Sequence, residues 1–245
     1  MTATEVLCRH FSRMGARLKL QGPARRQSEK IRIDVSRDRR GEFFEIRCQD
    51  GCMPEVLHVE PASRHMVLML RDGRMKNKYL LGHDERHWFA AAVPGRDVRD
   101  VCTAKDSLRP AEARCGGVVR QGEWFFVPAP EVVSGAVIHR NEPLSRGAGS
   151  KPHRCEELMR TGGRTVWVSA SYPTGIGEDE YHRLIAARPH LGKLPWRTMT
   201  RDAVVFARGA VRHPDHETIF LDGWHSVYLN RERLAPHAAQ IAFLD

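Results

Sequence analysis

The sequence predicts an α+β fold, mainly antiparallel sheet with a few short helices and with room for two lobes. Three observations predict it: short runs that alternate apolar and polar residues recur from Lys30 onward, turn signals separate them at close intervals, and only a few windows carry the 3.6-residue period of a helix.

Taken in order, residues 4–14 suit a short amphipathic helix, with Val6, Leu7, Phe11 and Met14 near one stripe, Thr4 as a cap and Gly15 as a stop. Gln21 to Glu29 carries Gly22, Pro23 and Ser28 among charges and reads as a loop. Lys30 to Val35 alternates with period two, as a half-buried strand does. Further strands are expected at Glu42 to Arg47, Val56 to Val59, Met66 to Leu70, and Tyr79 to Leu81 resuming at Trp88 to Val93. Asp50-Gly51, Pro61 to Ser63 and Asp72-Gly73 mark turns of an antiparallel meander. Val98 to Leu108 is a candidate helix that ends at Arg109, because the residue before Pro110 is pushed out of the α region.

Glu123 to Val127 is another strand, stopped by Pro128 and Pro130. From there to Pro152 the chain is rich in Pro, Gly and Ser, interrupted by a strand-like Ala136 to His139. Beyond it the reading is a short helix over Cys155 to Thr161 closed by Gly162-Gly163, a strand at Thr165 to Ser169, and a helix at Asp179 to Arg188 announced by Gly177. A strand at Ala203 to Val211 then leads to a hairpin turning on Asp222-Gly223. The expected organisation is therefore a basic segment at 1–40, a strand-rich lobe at 41–128, a connection or loop at 129–152, and an α+β lobe at 153–245 ending in a hairpin.

Composition narrows the function classes. With 41% hydrophobic and 28% charged residues the chain is an ordinary folding sequence, neither fibrous nor disordered. No run approaches the roughly 18 apolar residues of a spanning helix, and the first residues lack the apolar core of a secretory signal. Six cysteines spread along a long chain read as reduced thiols, so a cytoplasmic protein with no membrane partner is expected.

The net charge of +9 is concentrated at 1–40, where eleven bases face four acids. Arg9, Arg13, Arg17, Lys19, Arg25 and Arg26 are candidate phosphate contacts, since a guanidinium fork matches phosphate geometry. A second basic element is the loop Arg146-Gly-Ala-Gly-Ser-Lys-Pro-His153, where backbone amides at two glycines combine with Arg146, Lys151 and Arg154. It is not a Walker loop, because the Gly-Lys pair is missing and Pro152 stands where Ser or Thr would bind magnesium.

The densest chemistry lies between Arg212 and Asn230, which includes His213, Asp215, His216, Glu217 and His225. Imidazoles and carboxylates in such company activate water in hydrolases, with or without a metal. With the turn at Asp222-Gly223, His216 and His225 share a face but stand roughly 13 Å apart at about 3.3 Å per residue, too far to hold one ion. That leaves His213, Asp215 and His216, with Asn230, as the candidate catalytic cluster near the hairpin's open end. His83-Asp-Glu-Arg-His87 lacks the Glu that follows the first histidine of a zincin helix and reads as a hairpin tip bearing the carboxylates Asp84 and Glu85. Cys48 and Cys52 with His58 have the wrong spacing for a zinc finger, and His153 with Cys155 lacks a third group to orient a catalytic thiol. Trp124, Phe125 and Phe126 serve equally as core or as a base-stacking platform.

Three functions follow in order of preference. The first is a nucleic-acid-binding protein, for RNA or DNA, that grips phosphates through the basic segment and the Gly/Lys loop. The second is a phosphodiester-cleaving enzyme, with His213 or His216 as general base and Arg212 or Lys151 stabilising developing charge. The third is a module of a larger protein assembly whose basic face meets an acidic partner.

Overall fold

In the computed structural model, residues 2–22, 31–48, 53–72, 75–131, 135–145 and 151–232 are described. The described residues divide into two units, 2–111 with 230–232, and 112–229. Both are mainly antiparallel sheet with a few short helices.

The first unit begins with α1 (Ala3–Arg13). Its cap is Thr2 and not Thr4, because Glu5 completes a reciprocal box: the Glu5 amide donates to Thr2 Oγ1 at 3.2 Å and the Thr2 amide to Glu5 Oε2 at 2.8 Å. Gly15, at φ +76°, takes the left-handed turn that ends the helix. β1 (Leu18–Gln21), β2 (Ile31–Asp38) and β3 (Gly41–Cys48) form a sheet in the order β1-β3-β2, in which β1 runs parallel to β3. A four-strand meander follows: β4 (Met53–Glu60), β5 (His65–Asp72), β6 (Met75–Asp84) and β7 (His87–Ala92). Met66, Leu68 and Leu70 on β5 pack with Leu7, Phe11 and Phe44, while Val67 between them packs with Val101, Ala104 and Leu108 of α2 (Val101–Leu108). Burial on both faces is why β5 reads as an unbroken apolar run rather than an alternating one. The helix expected from Val98 starts at Val101, capped by Asp100.

In the second unit, β8 (Val119–Gln121) and β9 (Trp124–Pro128) form a hairpin, and the residues after β9 lead into β10 (Ile138–Leu144) and β11 (His153–Thr161). β12 (Arg164–Ser169), β13 (Tyr172–Gly177), α3 (Glu178–Ala187) and β14 (Arg197–Arg201) form a three-strand layer on which Tyr181 stacks against Trp167 at 4.1 Å. β15 (Val204–His213) and β16 (His216–Leu229) complete a six-strand antiparallel sheet ordered β10-β11-β15-β16-β9-β8. Trp124 and Phe126 are 1% and 0% exposed in the core of this sheet, which removes them from the surface as a base-stacking platform.

Two expected elements are corrected here. Cys155 to Thr161 is strand β11, not helix. Cys155, Leu158 and Met159 stand at helical spacing, but a register shift between Cys155 and Glu157 lets Cys155 and Leu158, an odd number of residues apart, share one core. The extra residue on the partner strand lies at Gly209 (φ +75°), whose neighbour Ala210 donates its amide to Glu156 Oε2 at 2.8 Å.

The Asp222-Gly223 pair is likewise not the hairpin turn. β16 runs through it, and His213 pairs with His216 around a two-residue Pro214-Asp215 turn. Proline supplies the turn's first φ, whereas Asp222 to Trp224 bulge out between the pairs Gly209–Leu221 and Ala207–His225, where Arg208 covers the Trp224 ring at 4.7 Å and the Trp224 carbonyl accepts from Ala129 at 2.8 Å. Among the described residues no helix is long and apolar enough to cross a membrane.

Candidate functional site

Strand register, and not sequence proximity, assembles the site. Across β11 and β15, Cys155 pairs with Val211 and Arg154 with Arg212, and one further step of that ladder sets His153 opposite His213. Across the Pro214-Asp215 turn, His213 pairs with His216. Three imidazoles from three adjacent strands therefore occupy one rung. The His153 and His213 rings stack with centroids 4.2 Å apart and planes 26° from parallel, and His213 lies 4.8 Å from His216. One nitrogen from each of the three lies within 4.8 Å of the other two.

Their surroundings differ. His153 is 1% exposed, and neither of its ring nitrogens has a hydrogen-bond partner among the described residues. Burial, followed by the neighbouring His213 and His216, pushes its pKa down to about 3, so its imidazole is neutral. His213 is half-buried, and its pKa is also lowered, first by burial and then by His216, against the opposing fields of Asp215 and Glu123. The Asp215 amide donates to His213 Nδ1 at 3.1 Å, which leaves Nε2 to donate to the Lys151 carbonyl at 3.3 Å.

The β8–β9 hairpin closes one side. Gln121, 2% exposed, donates from Nε2 to the carbonyls of Val211 and Glu217 and so ties this hairpin to β15 and β16. Gly122 follows at φ +57°; a Cβ there would stand 2.8 Å from His216 Nε2 and 3.6 Å from His153 Nε2. The glycine supplies both the left-handed turn and the space beside two imidazole nitrogens.

Of the cluster expected around His213, Asp215 and His216, the two histidines come together while the Asp215 carboxylate pairs with Lys151 Nζ at 2.8 Å. Asn230 belongs to the first unit, where it accepts the Glu232 amide at 3.4 Å. His225 lies at the bulge, in register with Ala207 and Pro128, its Nδ1 2.8 Å from the Gly223 carbonyl. Arg154 and Arg212 are exposed and face each other across β11 and β15.

Of the other candidates, Arg9 and Arg13 are exposed on α1, and Arg17 and Lys19 share the Asp38 carboxylate. Arg25, Arg26, Arg146 with the loop through Ser150, and the Cys48–Cys52 pair's side chains lie outside the described residues. Asp84 and Glu85 fall at the β6–β7 tip as expected, with His83 against Trp88 and His87 Nδ1 2.6 Å from Glu42 Oε1. Burial raises the Cys155 thiol to about 12 and keeps it protonated, which removes it as a nucleophile at neutral pH.

His153 is the member that sequence reasoning missed. Its signal was phase: His153 and Cys155 alternate onto one face of β11, as Val211 and His213 do on β15, but that phase is visible only once the segment is read as strand.

Comparison of the chain with family models, with curated proteins and with solved structures gave no match.

Proposed function

We propose that this protein is a hydrolase directed at phosphodiesters, with the histidine row of its second unit as the reaction centre. The observation that carries the reading is His153: an imidazole 1% exposed, without a hydrogen-bond partner for either nitrogen among the described residues, and stacked on a half-buried partner. Burying polar atoms without partners is unfavourable for stability, and such groups concentrate where chemistry requires them. A neutral imidazole accepts protons or donates lone pairs, so the row suits activation of a water, with His213 or His216 taking its proton.

The substrate class rests on charge. Arg154 and Arg212 sit directly opposite each other, an unfavourable placement for two cations that a polyanion relieves. The Lys151 carbonyl contacts His213, and its ammonium, held by the Asp215 carboxylate at 2.8 Å, is a cation beside the row for which a phosphate oxygen would compete. A nucleic acid supplies that anion, and the net charge of +9 supports its capture.

The test is incubation of the full chain with end-labelled RNA and with single- and double-stranded DNA, resolved on denaturing gels. Strand scission that disappears in His213→Ala and His216→Ala supports the reading. Salt-sensitive binding without scission leaves a nucleic-acid-binding protein, the reading that the overall charge favours, and neither binding nor scission leaves a module whose basic face meets an acidic protein.

A further inference from the structure

We propose that His153, His213 and His216 together bind one divalent transition-metal ion, zinc before others, and leave a coordination position open to water. As an account of catalysis this rests on the hydrolase reading; as a binding site it stands separately.

Four observations converge on it. The donor set is the first. Three imidazoles with no thiolate suit zinc, copper, nickel or cobalt and not magnesium or calcium, which take oxygen ligands. Three histidines with a fourth position left open are also the ligand number of catalytic rather than structural zinc.

Geometry is the second. On a tetrahedral ion, at about 2.0–2.1 Å from each nitrogen, the donors stand roughly 3.3 Å apart. Here they lie within 4.8 Å of one another, so the row closes onto an ion by side-chain rotation, without moving a strand. His153 is the fixed member, held in the sheet core, and the half-buried His213 and His216 are the members that would turn, His213 by exchanging the Asp215 amide for the ion.

Third, His153 carries two buried nitrogens that nothing among the described residues satisfies, and an ion satisfies one of them. His213 has a carbonyl for one ring nitrogen, Nε2 on that of Lys151, and would bind the ion through Nδ1 by giving up the Asp215 amide that Nδ1 now accepts at 3.1 Å. Fourth, Gly122 keeps clear the space beside His216 Nε2 and His153 Nε2, which the Cβ of any other residue would enter.

With three imidazole lone pairs given to it, the ion would take over from His213 or His216 the activation of water, as a Lewis acid that lowers the pKa of a bound water toward neutrality. Within this chain, His153 anchors, His213 and His216 close, and Lys151 orients His213.

The experiment uses the untagged full chain after chelator treatment, titrated with Co(II) and, in competition with a chromophoric chelator, with Zn(II). The expected result is one equivalent bound per chain with a visible Co(II) spectrum of four- or five-coordinate nitrogen ligation. His153→Phe and His216→Ala each lower affinity at least about a hundredfold, Gly122→Ala lowers it about tenfold, and His139→Ala, an exposed histidine on β10, leaves it unchanged. His216 is only half-buried, so its variant reads the site even if His153→Phe fails to fold.

No binding by the folded chain, or equal binding in all variants, overturns the site. Binding without strand scission of any nucleic acid upholds the site and overturns the hydrolase reading. Scission that persists in chelator, with histidine variants inactive, does the reverse.

Discussion

His153 and His213 lie face to face, 4.2 Å between ring centroids, one sealed in the core of the sheet and the other half-open to solvent. The pair joins a rigid imidazole to an adjustable one, and the contrast makes the cost and the use of His153 separable.

Replacing His153 with Phe or Leu removes two unsatisfied buried nitrogens while keeping most of the packed volume. The metal-free variant should gain about 1–3 kcal/mol of stability, the usual penalty of such groups, while losing the function of the site. Denaturant unfolding measures this, and a variant less stable than wild type would show that the ring is satisfied in solution.

Acid should reveal the same residue. Histidine titrates near 6.5 in an unfolded chain, whereas burial and the adjacent imidazoles hold His153 at about 3. Between these values the unfolded chain binds a proton that the folded chain refuses. The stability associated with neutral His153 is thus complete above pH 6.5 and falls away as pH drops toward 3, at up to ~1.4 kcal/mol per unit. Unfolding midpoints measured in chelator from pH 7 to 4.5 should decline more steeply for wild type than for His153→Phe. Parallel curves would mean that His153 protonates normally.

Gly122 is constrained twice, by its φ of +57° and by the imidazole nitrogen 2.8 Å from where a Cβ would sit. Gly122→Ala should destabilise by about 1–2 kcal/mol from the backbone alone. Gly122→Asn tolerates the left-handed turn better and should regain part of that stability without regaining the site, because its Cβ intrudes equally. Calorimetry beside the scission assay separates the two effects; full activity in either variant would remove Gly122 from the site.

Asp38 gathers two of the bases expected to contact phosphate. Its carboxylate accepts from Arg17 at 2.7 and 2.8 Å, from Lys19 at 2.9 Å and from the Arg40 amide at 2.9 Å. Arg17, then Lys19, holds its pKa far below the usual carboxylate range. Lys19 also lies over the Phe43 ring at 3.8 Å. Arg17→Ala should therefore change nucleic-acid affinity by less than about twofold, while Asp38→Asn, which releases the clamp, should tighten binding and steepen its salt dependence by about one unit of log–log slope. Equal and large losses in both would mean that Arg17 contacts phosphate despite its partner.

Much of the fold was legible because local rules and tertiary packing agreed. The helix at Phe11 and Met14 ends where Gly15 says it should, and the strands from Glu42 to Arg47 and from Trp88 onward carry a pattern that survives packing. The errors arose where two rules gave the same local signal. Asp-Gly marks a tight turn and equally a bulge, and only the partner strands at Ala207 and Pro128 decide between them. Apolar residues at Cys155, Leu158 and Met159 suit a helix until the irregularity opposite Gly209 shifts the phase of the strand. His213 and His216 were found because they are neighbours in sequence. His153 was not, because only the pairing of β11 with β15 makes it theirs.

That difference between neighbours and a distant third has a consequence for how the molecule comes together. A two-residue turn keeps His213 and His216 near each other even in a loosely structured chain, but the third donor arrives only when the seam between β11 and β15 has zipped. A ligand held by all three is accordingly a staple across that seam, its binding energy converted into resistance to opening. The amide hydrogens between β11 and β15 should then be the ones whose exchange with solvent slows most when the site is filled.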